Sequence, residues 1–531
     1  MRKKVWKGIF LLTAALGVTG CSKSQTADPP SPSAIPAQEN RAESKEEEAM
    51  EHEKIQGKTE SEIKKGSFQL GVSVHDPSVV EVDGTYYIFG SHMEAAQCTD
   101  LRNWKSFASG VGKSNPLFSN LFDSDMTAFK YVGKFTDGGY AVWAPDVIYN
   151  EALGKWVMYF STSHDYRTSV IHFATADDVK GPYEYCDALI YSGFSKTTVS
   201  ETNFYTIMGA DADPSPYLTG IQYNNKKYPN CIDPCVFYDK DGKMLMVYGS
   251  WSGGIWLLEI DQSTGYPVHP QADEAAGIDP YFGKHLISGN HMSCEGPYMY
   301  YDKDQDMYYL LVSYGELTRE GGYQIRCFRS KTPDGEFLDA AGNTLKSSDL
   351  HQKRGVKMMG NYILPSLKTA YMAPGHCSVL QSEDQKLYLV YHTRFDGGTE
   401  YHEPRVHQMA YNQDGWPVAL PFATAGEEIK TGSYHSGDLE GRWYLLNHGT
   451  EISSKIHEPR ECILENGMLS LENETSGSYS FEDGSYYMTI TLDEVDYKGI
   501  LCDMSDEAGN PVRCFAGVGS NNETLWGVMY L

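Results

Sequence analysis

The stretch EGPYMYYDKDQDMYYLLVSYG (295–315) leads from a Gly-Pro turn into two runs of aromatic and β-branched residues, with a polar turn between them. Such runs are typical of strands, and the polar turn indicates an antiparallel pair. Four other stretches follow the same plan: HDPSVVEVDGTYYIFGSH (75–92), WAPDVIYNEALGKWVMYFSTS (143–163), IDPCVFYDKDGKMLMVYGSWSGGIW (232–256) and APGHCSVLQSEDQKLYLVYHTRF (373–395). Five copies of one small sheet predict an all-β fold, a five-bladed β-propeller.

The spacing of the five turns fits one four-stranded blade each. The longest interval contains SETNFYTIMGADADPSPYLTGIQYNNKKYPN (200–230), which we interpret as a loop inserted at the rim. The propeller is therefore predicted to occupy residues 67–428. The polar residues that anchor the turns are separated by 70, 87, 62 and 81 residues, and they are Asp76, Asp146, Asp233, Glu295 and His376.

The pattern changes after residue 428. Short segments that alternate apolar and polar residues, such as GSYSFEDGSYYMTITLDEV (477–495), are separated by Gly, Asn and Asp turns. This alternation predicts a separate C-terminal all-β domain over 429–531, a small barrel or sandwich. Its role is open between support of the propeller and sugar binding.

The N-terminus carries an export signal. MRKKVWKG (1–8) is cationic, and IFLLTAALGVTG (9–20) is apolar but too short to span a bilayer. The ending VTGC resembles the processing box of bacterial lipoproteins, which implies a signal peptide over 1–21 and lipidation of Cys21. A plain secretory signal with a coincidental cysteine is the alternative.

The residues after Cys21 predict a tether. Residues 22–66 are rich in Pro, Ser, Glu and Lys and contain almost no large apolar side chains, so we expect them to be disordered. No second apolar stretch of spanning length follows. The body of the protein is therefore expected outside the membrane, attached to the bacterial cell envelope through the lipid alone.

Charge and composition exclude some partners. The chain of 531 residues has a net charge of −27 and 13% aromatic residues. Nucleic acid and anionic membrane surfaces would repel such a protein, whereas a neutral ligand would not. The acidity also serves solubility, with no functional meaning required. We expect a monomer.

The spacing of the cysteines does not indicate a disulfide framework. Apart from Cys21 there are ten, without any CxxC pair and mostly within apolar stretches, where free cysteine behaves as a small hydrophobe. A zinc site and a Cys231–Cys235 disulfide are both disfavoured.

Three carboxylates are predicted to meet at the propeller axis. The innermost strand of each blade lines the central channel, so Asp76, Asp233 and Glu295 should converge. Like charges raise each other's pKa, which makes such a cluster costly without a function. Cleavage of a glycosidic bond needs one protonated carboxylic acid and one ionised carboxylate. Each Asp-Pro, taken alone, would simply begin a turn.

The motifs HDPS, WAPDV, IDPCVFYDKDG and EGPY, in this order, resemble glycoside hydrolase family 43, and particularly its endo-acting α-1,5-L-arabinanases. The resemblance covers about 75–395. It implies that Asp76 is the general base, Glu295 the general acid, and Asp233 the residue that raises the pKa of the acid and orients it. The family is inverting, which implies carboxyl groups about 6.5–9.5 Å apart. Asp146 is expected to be structural.

The resemblance also implies ligand contacts. His376 matches a position that faces a calcium ion on the axis, with waters completing the shell, although a lone histidine is more often a core residue. Trp143 is open between stacking on a sugar and plain packing. Cys235, Cys294 and Cys377 stand where small polar residues are expected, which makes sensitivity to oxidation a hypothesis. The implied substrate-binding residues are Asp76, Trp143, Asn230, Ile232, Asp233, Ser250, Trp251 and Ser252.

The function implied by the resemblance is endo-hydrolysis of α-1,5-L-arabinofuranosidic linkages in arabinan, a neutral side chain of pectin. The C-terminal domain agrees, since longer extracellular arabinanases carry a β-barrel there. An exo-acting α-L-arabinofuranosidase or β-xylosidase of the same family is the first alternative. A fructan-cleaving enzyme that retains configuration is the second alternative. Those enzymes carry NDPNG-like, RDP and EC motifs, whereas this chain has HDPS, IDP and EGP at the corresponding places. A non-catalytic glycan-binding lipoprotein is the third alternative.

Overall fold

Strands make up nearly all of the regular structure. The computed structural model describes residues 55–123, 125–432, 434–472 and 474–531; the predicted signal peptide, Cys21 and the tether up to residue 54 lie outside them. One short helix, α1 (Phe204–Met208), and several 3-10 turns are the helical elements of the described part. In these ranges no helix has the length and apolar character needed to cross a membrane. The all-β prediction is confirmed.

Five antiparallel sheets form the blades, and the chain enters each of them at its inner strand. Blade 1 contains β1 (Ser78–Val82), β2 (Thr85–Gly90), β3 (Glu94–Cys98) and β4 (Lys105–Ala108). Blade 2 contains β5 (Val142–Asn150), β6 (Lys155–Ser163), β7 (Ser169–Ala176) and β8 (Glu184–Tyr191). The two-stranded ribbon β9 (Leu218–Thr219) and β10 (Gln222–Tyr223) follows.

Blade 3 is larger than the others because β13 pairs with an extra short strand and two further strands close the sheet. It contains β11 (Cys235–Tyr238), β12 (Met244–Tyr248), β13 (Ile255–Ile260), β14 (Pro267–Val268), β15 (Ile278–Asp279) and β16 (Gly283–Ile287). Blade 4 contains β17 (Cys294–Asp302), β18 (Met307–Tyr314), β19 (Gln324–Ser330) and β20 (Val356–Met359). Blade 5 contains β21 (Tyr371–Gln381), β22 (Leu387–Phe395), β23 (His402–Tyr411) and β24 (Pro417–Ala419).

The inner strands form a closed circle. Each contacts the next, in the order β1, β5, β11, β17, β21 and back to β1, which confirms the five-bladed propeller. The circle is tied where blade 5 meets the start of the chain. The backbone N–H groups of Leu70 and Gly71 donate to the carboxylate of Glu403, over 3.1 and 3.0 Å. Glu403 is buried and forms a 2.9 Å ion pair with Arg405.

The segment between blades 2 and 3 is part of the core. Phe204 of α1, Tyr217 and Tyr228 pack against Tyr281 and Phe282 next to the outer strands of blade 3. The burial of these aromatic rings explains why the segment is folded instead of forming an open loop.

The C-terminal domain is a closed barrel of eight antiparallel strands, in which the first pairs with the last. Large side chains, among them Trp443 and Phe515, fill a hydrophobic core. The predicted choice between barrel and sandwich is therefore decided in favour of the barrel. Its strands are β25 (Gly441–Asn447), β26 (Arg460–Glu465), β27 (Met468–Leu471), β28 (Glu474–Phe481), β29 (Tyr487–Leu492), β30 (Val495–Ser505), β31 (Pro511–Gly519) and β32 (Thr524–Tyr530).

Residues 55–66 correct the predicted tether, which ends earlier than residue 66. The backbone N–H of Lys58 donates to the carbonyl of Tyr530 over 2.9 Å, and the N–H of Arg442 donates to the carbonyl of Gln56 over 2.7 Å. Ile63 is buried. Main-chain hydrogen bonds to the barrel hold this polar segment, and composition does not reveal such bonds.

Candidate active site

A residue with a left-handed backbone lies within each inner strand or just before it, and β21 contains two of them, Ala373 with a φ of 48° and His376. The φ angles are 54° at Asp76, 39° at Ala144, 55° at Asp233, 56° at Gly296 and 44° at His376. Side chains other than glycine rarely adopt this region, and such strain is concentrated at functional sites. Asp76, Asp233 and His376 are the polar anchoring residues that adopt this backbone themselves.

The other two anchoring residues do not adopt this backbone. Asp146 lies two residues after the left-handed Ala144, and Glu295 lies one residue before the left-handed Gly296. These two polar residues therefore anchor their turns at positions that differ from those of Asp76, Asp233 and His376. The bulges at the turns displace them: the strand register shifts between Trp143 and Asp146 and again after Glu295.

Asp76 is held as a carboxylate. Its Oδ2 accepts a 2.5 Å hydrogen bond from the hydroxyl of Ser91 and lies 2.7 Å from Nδ1 of His75. Its Oδ1 lies 3.0 Å from Nδ1 of His376. Burial alone would raise the pKa of Asp76, but the positive charges of His376 and His75 hold that pKa well below its usual value. Such a group is ionised at neutral pH and suits a general base.

Glu295 has the opposite tendency. Burial and the negative charge of Asp233 raise the pKa of Glu295 to about 7, so a large fraction is protonated at neutral pH. Its Oε1 accepts a hydrogen bond from Tyr323 over 2.9 Å, and its Oε2 accepts one from Ser250 over 3.2 Å. A carboxylic acid poised in this way suits a general acid.

Asp233 lies against the segment that carries the acid. Its Oδ2 accepts the backbone N–H of Gly296, the residue after Glu295, over 3.2 Å. Burial raises the pKa of Asp233 to about 6. The contact and the charge together allow Asp233 to orient Glu295 and to disfavour its ionisation.

Asp146 joins three blades beneath this centre. It is buried; its Oδ1 accepts the hydroxyl of Ser78 in blade 1 and its Oδ2 accepts the N–H of Val236 in blade 3, each over 2.6 Å. Both oxygens are used within the protein, which agrees with a structural role. A cavity of about 10 Å³ is lined by Asp76, Asp146 and His376 among others.

His376 faces this cavity and the carboxylates together. Burial would lower its pKa, but the charges of Asp76 and Asp233 raise the pKa of His376 to about 9. Three buried carboxyl groups around one imidazole create a need for positive charge, which a proton supplies here and a cation would supply equally. A cation at His376 would supply this charge, with water in the adjoining cavity as an oxygen ligand of the kind that calcium prefers.

A cluster of aromatic side chains lies around Trp143. Trp143 is half-buried, its Nε1 donates to Ser163 over 2.7 Å, and its ring meets the ring of His92 edge-on at 4.7 Å between centroids. Phe135 lies 5.8 Å from Trp143 and 5.8 Å from the exposed Tyr166. These rings come from blades 1 and 2 and offer surfaces for sugar stacking.

A second aromatic pair stands between blades 3 and 4. Trp251 is half-buried, its backbone N–H donates to the carbonyl of Cys294 over 2.8 Å, and its ring meets His291 at 5.6 Å. The carbonyl of Ser252 accepts the N–H of His291 over 2.9 Å. This turn therefore lies beside the acid, where Ser250 already contacts it.

Asn230 and Ile232, the predicted substrate-binding residues before Asp233, form hydrogen bonds within the protein. The side-chain oxygen of Asn230 accepts the hydroxyl of Ser192 over 3.2 Å, and its amide donates to the carbonyl of Tyr166 over 3.3 Å. The backbone of Ile232 bonds the carbonyl of Asn230 and the N–H of Gly249. These contacts fix the turn that carries Asp233.

The three cysteines near the axis are buried free thiols. Cys235 and Cys377 line the axial cavity. Burial raises the pKa of Cys294 and of Cys377 to about 12, so little thiolate exists at neutral pH and reactivity is low. The ten cysteines of the described residues are all unpaired.

The predicted site residues did not include His75, Ser91 or Tyr323, which contact the carboxyl groups of Asp76 and Glu295. Ser91 donates to Asp76 and also accepts the N–H of Ala144 over 2.8 Å, so it links Asp76 to blade 2. Ser91 directly follows β2, in the first of the five repeated stretches. A polar residue at this place in the repeat could have been predicted to lie near the axis. Tyr323 follows two glycines in a loop and carried no such signal.

Comparison with known proteins identifies the family of both domains. The profile described as Glycosyl hydrolases family 43 matches residues 70–192 and 188–417, and the profile described as C-terminal lipocalin-like domain matches residues 421–527. The extracellular endo-α-(1→5)-L-arabinanase 2 of Bacillus subtilis is 37% identical over 86% of this chain and 92% of its own length. The extracellular endo-α-(1→5)-L-arabinanase of Thermotoga petrophila is 34% identical over 86% and 93%.

Solved structures show the same arrangement. The crystal structure of a family 43 glycoside hydrolase from Bacillus licheniformis superimposes with a TM-score of 0.75 at 35% identity, covering 87% of this chain and 99% of that one. The endo-1,5-α-L-arabinanase of Thermotoga petrophila gives a TM-score of 0.74 at 32% identity, covering 88% and 100%. The chain therefore belongs to glycosyl hydrolase family 43.

Proposed function

We propose that the protein is an endo-acting arabinanase that hydrolyses internal α-1,5-L-arabinofuranosidic linkages. The main support for this proposal is the difference between two carboxyl pKa values. The pKa of Asp76 is held well below its usual value, and the pKa of Glu295 is raised to about 7. One ionised and one protonated carboxyl group at one axis is the pair that glycoside hydrolysis requires. The two arabinanases that match most of the chain support this substrate.

In this proposal each carboxyl group has one task. Asp76, oriented by Ser91 and His75, takes a proton from the attacking water. Glu295, held by Tyr323 and Ser250, gives its proton to the leaving oxygen. Asp233 keeps that proton on Glu295 through its negative charge. Attack by water opposite the leaving group inverts the anomeric centre.

Endo action is supported by the aromatic surfaces. The rings at Trp143 and at Trp251 come from different blades, so a chain can contact protein on more than one subsite. Digestion of linear arabinan, followed by product sizing over time, tests the proposal. Oligosaccharides of mixed length at the outset support it; monomer alone from the outset would establish an exo-acting enzyme, and absence of products would leave a glycan-binding protein.

We infer that a calcium ion binds at His376. When bound, the ion would supply positive charge beneath the carboxylates. The imidazole of His376 is the one protein ligand that we assign to it, because both oxygens of the neighbouring Asp146 are used by Ser78 and Val236. The charge of the surrounding carboxyl groups supports this assignment.

We further propose that the enzyme acts outside the cytoplasm as a monomer, anchored to the cell envelope through lipidated Cys21. The names of the Bacillus subtilis and Thermotoga petrophila relatives call those enzymes extracellular, which supports the compartment. Labelling of the protein with a fatty-acid probe, lost in Cys21→Ala, tests the anchor. Secretion of the wild-type protein without the label would show that residues 1–20 act as an ordinary secretory signal and that Cys21 is not lipidated.

A further inference from the structure

The loop before β19 supplies a hydrogen-bond donor to the general acid. The hydroxyl of Tyr323 donates to Oε1 of Glu295 over 2.9 Å, and the tyrosine is buried. Together with the bond from Ser250 to Oε2, this contact fixes the plane of the carboxyl group. A small displacement of such a group costs much of its catalytic effect.

The ring of Tyr323 is clamped inside the propeller. A Cβ atom added to Gly375 would lie 2.2 Å from the ring, so the ring fills the space that a side chain before His376 would need. The ring is also stacked on His392, with 5.9 Å between centroids and 24° between planes. Blade 5 therefore fixes one face of Tyr323.

The barrel holds the other side of the same segment. The loop 448–459, between β25 and β26, is here called the barrel loop. A Cβ added to Gly322 would lie 2.7 Å from the backbone nitrogen of Ser453 in this loop. The side chains of Gln324 and Lys357 both donate to the carbonyl of Glu451, over 2.9 and 3.0 Å.

These bonds are not incidental surface contacts. Lys357 is buried, which lowers the pKa of its amine to about 7, and its Nζ donates to a backbone carbonyl of the barrel loop. Arg326, also fully buried, donates to the carbonyl of Thr450 in the same loop. The barrel loop accepts one hydrogen bond from each of these buried side chains, and Gln324 and Gly355 accept the other bonds of Arg326. A buried donor without an acceptor is costly, so these bonds hold the barrel loop against blade 4.

We propose that Tyr323 is a positioning residue for Glu295 and that the barrel loop holds Tyr323 in place, which makes the C-terminal barrel part of the catalytic apparatus. This inference rests on the proposed function, since it assigns Glu295 as the acid. It gives the barrel a task beyond support of the fold, without sugar binding.

Tyr323→Phe in the full-length protein tests the first step, because it removes the hydroxyl and keeps the ring. We expect kcat on linear arabinan to fall roughly tenfold or more with KM unchanged. The basic limb of the kcat profile should move to higher pH, since the hydroxyl favours the ionised form of Glu295. An unchanged kcat, or a loss that appears only in KM, would overturn the assignment.

Lys357→Met tests the second step through a double-mutant cycle with Tyr323→Phe. The single variant should lower kcat several-fold, and it should add nothing in the Tyr323→Phe background if the barrel loop acts through Tyr323. Lys498→Met is the control: Lys498 joins the barrel to Asp414 of blade 5 over 3.0 Å, away from the acid, and its loss should leave kcat unchanged. Additive effects of Lys357→Met and Tyr323→Phe would overturn the second step.

Gly322→Ala provides an independent test should Lys357→Met fold poorly. Gly342 has a φ of 76°, close to the 72° of Gly322, but has open space around it. Both alanines carry the same backbone strain, so only Gly322→Ala should lower kcat. Equal effects would contradict the role of the barrel loop. Wild-type activity on arabinan and its loss in Glu295→Gln separate failure of this inference from failure of the proposed function.

Discussion

Nδ1 of His376 lies 3.0 Å from Oδ1 of Asp76, and Nδ1 of His75 lies 2.7 Å from the other oxygen of the same carboxylate. Each oxygen of the proposed base therefore faces an imidazole nitrogen. This keeps Asp76 ionised although it is buried, so the enzyme can have an ionised base and a protonated acid at the same pH.

The activity should fall as the pH rises through about 7. Glu295 is active when protonated and its pKa is raised to about 7, whereas the pKa of Asp76 lies well below its usual value. The basic limb of kcat/KM against pH therefore reports loss of the proton from Glu295, and activity should persist into acid solution. Activity that rises steadily above neutral pH would contradict the assignment of Glu295.

Glu295→Gln should lower kcat by about 10²–10⁴-fold, because the amide has no acidic proton to give to the leaving oxygen. Reducing-sugar release from linear arabinan measures the loss. Glu184→Gln, an exposed glutamate of blade 2, is the matched control and should be as active as the wild type. Full activity of Glu295→Gln would transfer the role of acid to another group.

Asp146→Ala should destabilise the protein by about 2–4 kcal/mol, since it leaves the N–H of Val236 and the hydroxyl of Ser78 without their acceptor in the interior. Denaturant unfolding measures the change. Asp177→Ala, whose carboxylate is exposed, should differ from the wild type by less than about 0.5 kcal/mol. Equal stability of both variants would remove the assigned role of Asp146 between blades.

Trp251→Ala should raise KM for arabinan about fivefold with a smaller effect on kcat, because the ring offers stacking area beside the acid. Trp143→Ala should act in the same direction. Trp156 lies on β6, where it packs against Tyr149. Trp156→Ala therefore serves as the control, and an equal rise of KM in that variant would show that the effect is general.

Removal of metal by a chelator should reduce activity, and calcium should restore it better than magnesium, which demands a stricter octahedral shell. Elemental analysis should find about one calcium ion per chain in the wild type and less in His376→Ala. Calcium content that is unaffected by His376→Ala would place the ion elsewhere.

Much of the fold follows from local sequence. The strand–turn–strand units produce the blades because their aromatic and β-branched residues pack on both faces of each sheet. The carboxylates could be predicted for the same reason, since inner strands converge. Tyr323 could not, because its place depends on Gly375 in another blade and on Ser453 in the barrel. The same limit applies to residues 55–66, whose polar composition indicates disorder although their backbone pairs with the barrel.

The bond between Lys58 and Tyr530 joins residues at opposite ends of the described chain. Such pairing cannot form early in synthesis, because Tyr530 lies in β32, the strand that closes the barrel. Glu403 likewise cannot bond Leu70 and Gly71 until four blades have been made. The segment before the first blade therefore cannot complete its hydrogen bonds until the last blade has been made. Contacts so distant in sequence slow folding. Truncation from either end should therefore impair the whole molecule, more than the loss of a terminal segment would suggest.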